Sequence, residues 1–474
     1  MKVLYVTSEA NPFAASGGLG DVMGALPGAI SDEGVKAEVV LPLYSNIKDE
    51  YREKFERVVD IDFKLSWRST GATVYKYTKG SVNYYFIENH YYFDRGNLYG
   101  EFDDGERFAF FSMAVIEFML ATGNIPDILH ANDWQTALSV IYLKTKYSQN
   151  KMLSSVRCVY TIHNIEYQGK YDRAILGDVF ALDNKYLNIV EYDNCINLMK
   201  GALSVSDFIT TVSPNYAKEL KYDFFAFGLS DVIRGLEGKI SGVINGIDYS
   251  YFSPDLGGDI YFPYLKRAYK SGKAKNKKAF QEEIGLQTDP SVPLLVMITR
   301  LTAGKGIDLV INIIEELLLE NIQFVVLGTG DKNYEEAFST LQNKYSNFKA
   351  LIKFDRVISK KMYAAADMFI MPSKSEPCGL AQMIACSYGT VPIVREVGGL
   401  ADSIRPYGRC DNPNGFTFSS YNAHELLYTI KEALHLYQDK DEWSNLVRKT
   451  INSDFSWKRS AKEYISIYNN LLKW

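Results

Sequence analysis

Apolar residues along this chain gather in short unbroken blocks, at residues 3–6, 39–43, 159–162, 208–212, 294–298, 324–327, 368–371 and 391–394. Continuous blocks of this length read as strands buried on both faces, the pattern of a parallel sheet. Most are closed by a polar stretch, often glycine-bearing, and followed by positions that repeat with helical spacing. Helices are expected over 21–30, 106–121, from 383 onward, and over 457–474. Residues 58–87 alternate apolar and polar instead, and predict antiparallel hairpin strands. Periodicity fades between about 247 and 277, which places a domain boundary near Gly246. The fold class that follows is α/β, with two doubly wound, Rossmann-like domains facing each other across a cleft. The domains are expected over 1–246 and 247–455.

A length of 474 residues exceeds what one hydrophobic core serves, which agrees with two domains. Hydrophobic residues make up 47% of the chain, so the core supply is ample. With 52 basic against 57 acidic side chains the formal charge is −5, without the basic excess of a nucleic-acid binder. Cys158, Cys195, Cys378, Cys386 and Cys410 are odd in number and scattered, so neither a disulfide framework nor a paired-cysteine metal site is indicated. The first residues hold too few apolar positions for a signal peptide, and no apolar run is long enough to span a membrane. A cytoplasmic protein is the expectation.

Candidate chemistry sits where strands end. In Ser373-Lys-Ser-Glu-Pro-Cys-Gly-Leu-Ala-Gln382 a strand meets a helix through a turn broken by Pro377 and Gly379, so backbone N–H groups there are free to cradle an anion. Glu376 beside such a cradle suits a positive charge developing nearby, and glycosyl transfer from a nucleotide sugar needs both signs. The same residues also suit an ordinary turn with a surface Glu. Gly17-Gly18-Leu19-Gly20 opens a helix after a strand, either as a plain turn or as a close approach to a ligand. Asn132-Asp133 and His163 follow two further strands. Gly17, Asp21, Asp133 and His163 are therefore placed on one sheet edge, with His163 either a structural hydrogen-bonder or a site residue. Arg300 and Lys305 flank a glycine turn after residues 294–298 and suit a grip on a diphosphate. Asp60 and Asp62 form a DxD, but alternation puts both on one water-facing side of a strand. The lysines between 266 and 278 read as a solvated helix face.

These stretches together resemble the bacterial glycogen synthases and plant starch synthases, glycosyltransferase family 5 with the two-domain GT-B fold. The matching segments are SGGLGDVMGALP, FDRGNLYG, HANDWQTAL, TIHNIEYQG, TTVSPNYAKE, NGIDY, ITRLTAGKGIDL, PSKSEPCGLAQ and GTVPIVREVGGLADSI. The resemblance implies retaining transfer of glucose from ADP-glucose to the non-reducing end of an α-1,4-glucan, with no cofactor and no required metal. It assigns Arg300 and Lys305 to the donor phosphates, helped by backbone N–H groups of Gly17 and Gly18 and of Cys378, Gly379 and Leu380. Glu376 would stabilise the transferred glucose, His163 and Asn245 would contact the sugar, and Asp21, Asn132 and Asp133 would line the sugar cleft. Phe354 stands where a Tyr often stacks on the base. The leaving phosphate would itself take the acceptor proton, and residues 456–474 would cross back onto the first domain.

The chain departs from the family pattern at Ala15, where Lys is usual, at Ala381 and Val397, where Thr is usual, and at Gly304, where Gln is common. A lost charge-assisted contact is worth about 1.5 to 3 kcal/mol. Two further readings follow: a UDP-glucose-using transferase of the same fold, or a weakly active or non-catalytic glucan-binding paralogue.

Overall fold

Every apolar block becomes a strand within a few residues of its expected bounds. The computed structural model describes residues 1–473. It divides into two compact units, Met1–Gly246 joined by the C-terminal helix Trp457–Leu472, and Ile247–Ser456. The last residue expected in that helix, Trp474, lies outside the described residues.

In the first unit the strands are β1 (Lys2–Val6), β2 (Lys36–Pro42), β3 (Glu56–Leu65), β4 (Arg68–Lys79), β5 (Val82–Glu88), β6 (Ile128–Asn132), β7 (Arg157–Ile162), β8 (Lys170–Tyr171), β9 (Glu191–Tyr192), β10 (Cys195–Asn197), β11 (Phe208–Thr211) and β12 (Ile240–Gly242). Nine of them form one sheet in the order β12-β11-β7-β6-β1-β2-β5-β4-β3, and β8, β10 and β9 form a small separate one. The large sheet is parallel from β12 to β5, where both faces carry apolar residues, and antiparallel across β5-β4-β3, where the sequence alternates. Asp60 and Asp62 lie exposed on the edge strand β3, and Asp60 is bonded to Arg57 and Thr73, so they are solvated strand charges.

The C-terminal helix packs beside the helix Gly18–Asp32 and buries Trp457, Ser460, Ala461, Tyr464 and Tyr468, which recur with helical spacing on one face. Tyr468 locks it in place with its hydroxyl, 3.0 Å from the Tyr5 hydroxyl and 2.7 Å from His130 Nδ1. His130 Nε2 meets Thr161 Oγ1 at 2.5 Å, so both ring nitrogens are occupied inside the sheet core.

The second unit contains β13 (Leu294–Ile298), β14 (Gln323–Leu327), β15 (Phe348–Leu351), β16 (Met368–Met371), β17 (Val391–Arg395) and β18 (Phe416–Phe418), all parallel, in the order β15-β14-β13-β16-β17-β18. The lysine run departs from its reading as a solvated face. Within the helix Tyr269–Ile284, Lys273 and Lys277 point into the core. Lys273 Nζ lies 3.3 Å from the Tyr363, Ala364 and Tyr388 carbonyls and 2.7 Å from Thr390 Oγ1. Lys277 pairs with Asp367 at 2.7 Å, at the foot of β16. Long stems that can bury their methylenes while the ammonium meets carbonyls explain the departure, since composition carries no sign of such partners. No helix among the described residues is long and apolar enough to cross a membrane.

Candidate active site

In an open parallel sheet, ligands bind beyond the carboxyl ends of the strands where the winding reverses. In the second unit that point lies between β13 and β16, because the chain proceeds from β13 to β14 and β15 on one side and from β16 to β17 and β18 on the other. The loops leaving those two strands carry Arg300 and Lys305, and Glu376. They are packed backbone to backbone. Lys374 donates its N–H to the Gly304 carbonyl at 3.0 Å, and Gly306, at φ 73°, runs so close to Pro372 that a Cβ would fall 2.1 Å from its carbonyl oxygen. That approach brings Lys305 Nζ within 2.6 Å of Glu376 Oε2. Ser373 Oγ donates to the same oxygen at 3.0 Å. The Glu376 side chain is 9% exposed and that of Lys305 21%, so the pair is held at the rim rather than solvated.

The remaining second-unit candidates differ in exposure. Arg300 is exposed and its guanidinium has no hydrogen-bond partner among the described residues. Phe354, on the loop after β15, is 80% exposed, with the Arg356 guanidinium 5.9 Å from its ring centre. Cys378 is buried while Gly379 and Leu380 are partly open. The helix that follows, Ala381–Ser387, has only seven residues, so the turn's own N–H groups rather than a helix dipole face any ligand here.

In the first unit the winding reverses between β1 and β6. Asn132 ends β6, and its Nδ2 donates to the carbonyls of Val6 at 3.1 Å and His130 at 3.2 Å. Its Oδ1 must therefore face outward as an acceptor, and His163 Nε2 lies 2.9 Å from it. This fixes the proton on Nε2 and leaves Nδ1 as an acceptor. Burial pushes the His163 imidazole down to about 3, so it is neutral at physiological pH. Asp133 follows at φ 56° and ψ 178°, a conformation that costs a non-glycine residue about 1 to 3 kcal/mol. Its Oδ1 accepts from the N–H groups of His163 at 2.7 Å and Asn164 at 3.4 Å, and burial raises its carboxyl to about 7. Asn132, Asp133 and His163 thus form one bonded cluster.

Asn245 is 6% exposed and its Oδ1 has no hydrogen-bond partner, a buried acceptor suited to an incoming hydroxyl. Asp21 is exposed and accepts from Asn11 Nδ2 at 2.6 Å. Gly18 opens the helix Gly18–Asp32. Gly17 differs from expectation, since its N–H already donates to Glu9 Oε2 at 3.1 Å.

Glu9 is the residue that sequence reasoning missed. It is 3% exposed and also accepts from the Ser16 N–H at 2.6 Å, Ser16 Oγ at 2.8 Å and the Tyr99 hydroxyl at 2.6 Å. One carboxylate thereby ties the glycine loop to the loop of Tyr99. Its only signal in the sequence is an acidic residue just past a strand, which does not reveal partners 7 and 90 positions away.

Residues 2–235 match a family model described as the starch synthase catalytic domain, and residues 278–450 one described as glycosyl transferases group 1. The chain is similar to a glycogen synthase of Clostridium botulinum (strain Alaska E43 / Type E3), 45% identical over 478 residues and 99% of each chain. It is 41% identical to a glycogen synthase of Geobacillus stearothermophilus over 481 residues, 100% of this chain and 98% of that one. Among solved structures, the catalytic domain of starch synthase IV from Arabidopsis thaliana, bound to ADP and acarbose, superposes with a TM-score of 0.90 at 32% identity, covering 100% of this chain and 99% of that one. A sucrose-phosphate synthase from Thermosynechococcus elongatus shares the fold, with a TM-score of 0.62 at 16% identity.

Proposed function

The chain belongs to the glycogen and starch synthase family of GT-B glycosyltransferases, and from that premise we propose that it moves glucose from ADP-glucose to the non-reducing end of an α-1,4-glucan, with retention and no required metal. The observation that carries this reading is the Lys305–Glu376 pair at the switch point of the second unit. A cation for the leaving diphosphate and a carboxylate for the electron-poor sugar stand side by side, as that reaction needs.

Arg300 and Lys305 take the donor phosphates together with the N–H groups of Gly379 and Leu380, and Phe354 offers its exposed ring to the base. Breaking the bond between the anomeric carbon and the phosphate oxygen sends the electron pair to the diphosphate, where these groups receive it. Glu376 stabilises the positive charge left on the sugar. The acceptor hydroxyl attacks on the same face and passes its proton to the departing phosphate. His163 Nδ1 and Asn245 Oδ1, both acceptors, hold sugar hydroxyls, and Asp21, Asn132 and Asp133 shape the sugar side. The free cysteines and the nucleotide-sugar donor suit the cytoplasm.

A UDP-glucose donor is the second reading, motivated by Ala15 in the glycine loop, where no ammonium is offered to the donor phosphates. The reaction type is tested with ADP-glucose and maltoheptaose. Products longer by single glucose steps, and fully degraded by a hydrolase specific for α-1,4 links, are expected. A single addition in another linkage would contradict the assignment.

A further inference from the structure

The turn after Glu376 is held from below by one amide. Gln382, fully buried, donates through Nε2 to the Cys378 carbonyl at 3.1 Å and the Gly379 carbonyl at 3.0 Å, and lies 3.0 Å from Ser403 Oγ. Ser403 donates onward to the Gly399 carbonyl at 2.7 Å, and the Gly399 N–H returns to the carbonyls of Glu376 at 3.1 Å and Pro377 at 3.2 Å. The loop carrying Glu376 and the helix Gly398–Ser403 are thereby closed into one hydrogen-bonded ring.

In a planar trans peptide the C=O and the following N–H point in opposite directions. A side chain that draws the carbonyls of Cys378 and Gly379 inward therefore turns the N–H groups of Gly379 and Leu380 outward. Neither N–H has a hydrogen-bond partner among the described residues. Gly379 sits at φ 71°, and a Cβ there would fall 2.6 Å from Gln382 Oε1, so the amide and the glycine are fitted to each other.

Core packing alone does not explain this residue. Gln382 Oε1 is buried and accepts no hydrogen bond, so an apolar side chain of the same shape would bury less unpaired polarity. What the amide supplies, and a methionine would not, is the orientation of two peptide planes.

We propose that Gln382 is a positioning residue for a nucleoside diphosphate, aiming the Gly379 and Leu380 N–H groups at the phosphate next to the sugar. The proposal rests on the donor reading above. Gln382 touches no reacting atom and acts only through the turn.

The test is calorimetric binding of ADP and AMP to the full chain, wild type and Gln382→Met, with glucan binding and thermal melting as controls. Wild type is expected to bind ADP more tightly than AMP. Gln382→Met is expected to lose about tenfold in ADP affinity while AMP affinity changes less than about twofold. Glucan binding is expected to stay as in wild type, and donor KM to rise more than kcat falls. A wild-type preference for ADP that persists unchanged in Gln382→Met overturns the positioning role and leaves the donor reading standing. Absence of any ADP preference in wild type overturns both. Should the methionine variant fail to fold, Gln382→Asn takes its place, because it keeps the amide but withdraws it by one methylene. The same loss of ADP affinity is expected of it, and an unchanged ADP preference overturns the positioning role in the same way.

Discussion

Lys305 Nζ and Glu376 Oε2 lie 2.6 Å apart, so the two groups assigned to opposite charges of the reaction are joined to each other. Each holds the other in place at the rim of the sheet. On the proposed reading, a donor diphosphate entering here would compete with Glu376 for the ammonium and leave carboxylate density available for the sugar. Glu376→Ala is expected to lower kcat by about 100-fold or more with a smaller change in ADP affinity. Turnover equal to wild type would remove Glu376 from the mechanism.

Lys305→Ala acts on two quantities at once. It strips charge from the donor site and leaves the Glu376 carboxylate, 9% exposed, without its cation. A loss of about 1 to 3 kcal/mol in unfolding free energy is expected alongside weaker ADP binding. Denaturant titration and calorimetry read the two effects separately, and a variant matching wild type in both would dissolve the pair's assigned role.

How much of this was open to inspection in the sequence depends on distance along the chain. Buried strands such as Leu294–Ile298 and Met368–Met371 were legible because unbroken apolar blocks have few other uses. Lys305 and Glu376 were legible singly, each beside a glycine turn after a strand. Their contact was not, because it depends on Gly306 passing against Pro372 across the sheet edge. Glu9 was silent for the same reason, since Tyr99 lies 90 positions away. Gln382 was silent because nothing in the sequence shows that its amide turns back onto the carbonyls of Cys378 and Gly379. The buried Lys273 and Lys277 misled because nothing local separates an ammonium among carbonyls from one in water.

Asn132 sets the tautomer of His163 through the 2.9 Å contact between its Oδ1 and His163 Nε2. Asn132→Leu removes that constraint and frees the ring to present either nitrogen. About a tenfold fall in kcat/KM for the glucan acceptor is expected, with ADP affinity unchanged. An equal loss in ADP affinity would show that the cluster serves the nucleotide instead.

The buried imidazoles make stability depend on pH. His130 and His163 are both held at about 3, below their ordinary 6.5, by desolvation first. Their contribution is complete above pH 6.5 and is lost as pH falls toward 3. Asp133, raised from 3.8 to about 7 by burial, works in the other direction, with stability present below 3.8 and lost as pH rises through 7. The difference between wild type and His130→Gln isolates one imidazole. It is expected to grow by about 1.4 kcal/mol per pH unit between roughly pH 4 and 6. A difference that does not vary with pH would mean that His130 is not buried in its neutral form.

Ala15 lies exposed in the glycine loop that Glu9 anchors. Ala15→Lys adds the ammonium that the loop lacks and is expected to tighten ADP binding by about 1.5 to 3 kcal/mol, or at least tenfold. No change in donor affinity or rate would mean that Arg300 and Lys305 already neutralise the diphosphate.

The most direct test is glucose incorporation into glycogen by the purified protein, with ADP-glucose and UDP-glucose run side by side over a range of concentrations and with EDTA present. Turnover with ADP-glucose, at a higher kcat/KM than with UDP-glucose and undiminished by the chelator, is predicted. Turnover with UDP-glucose alone, or none with either donor while glycogen still binds, would contradict the account.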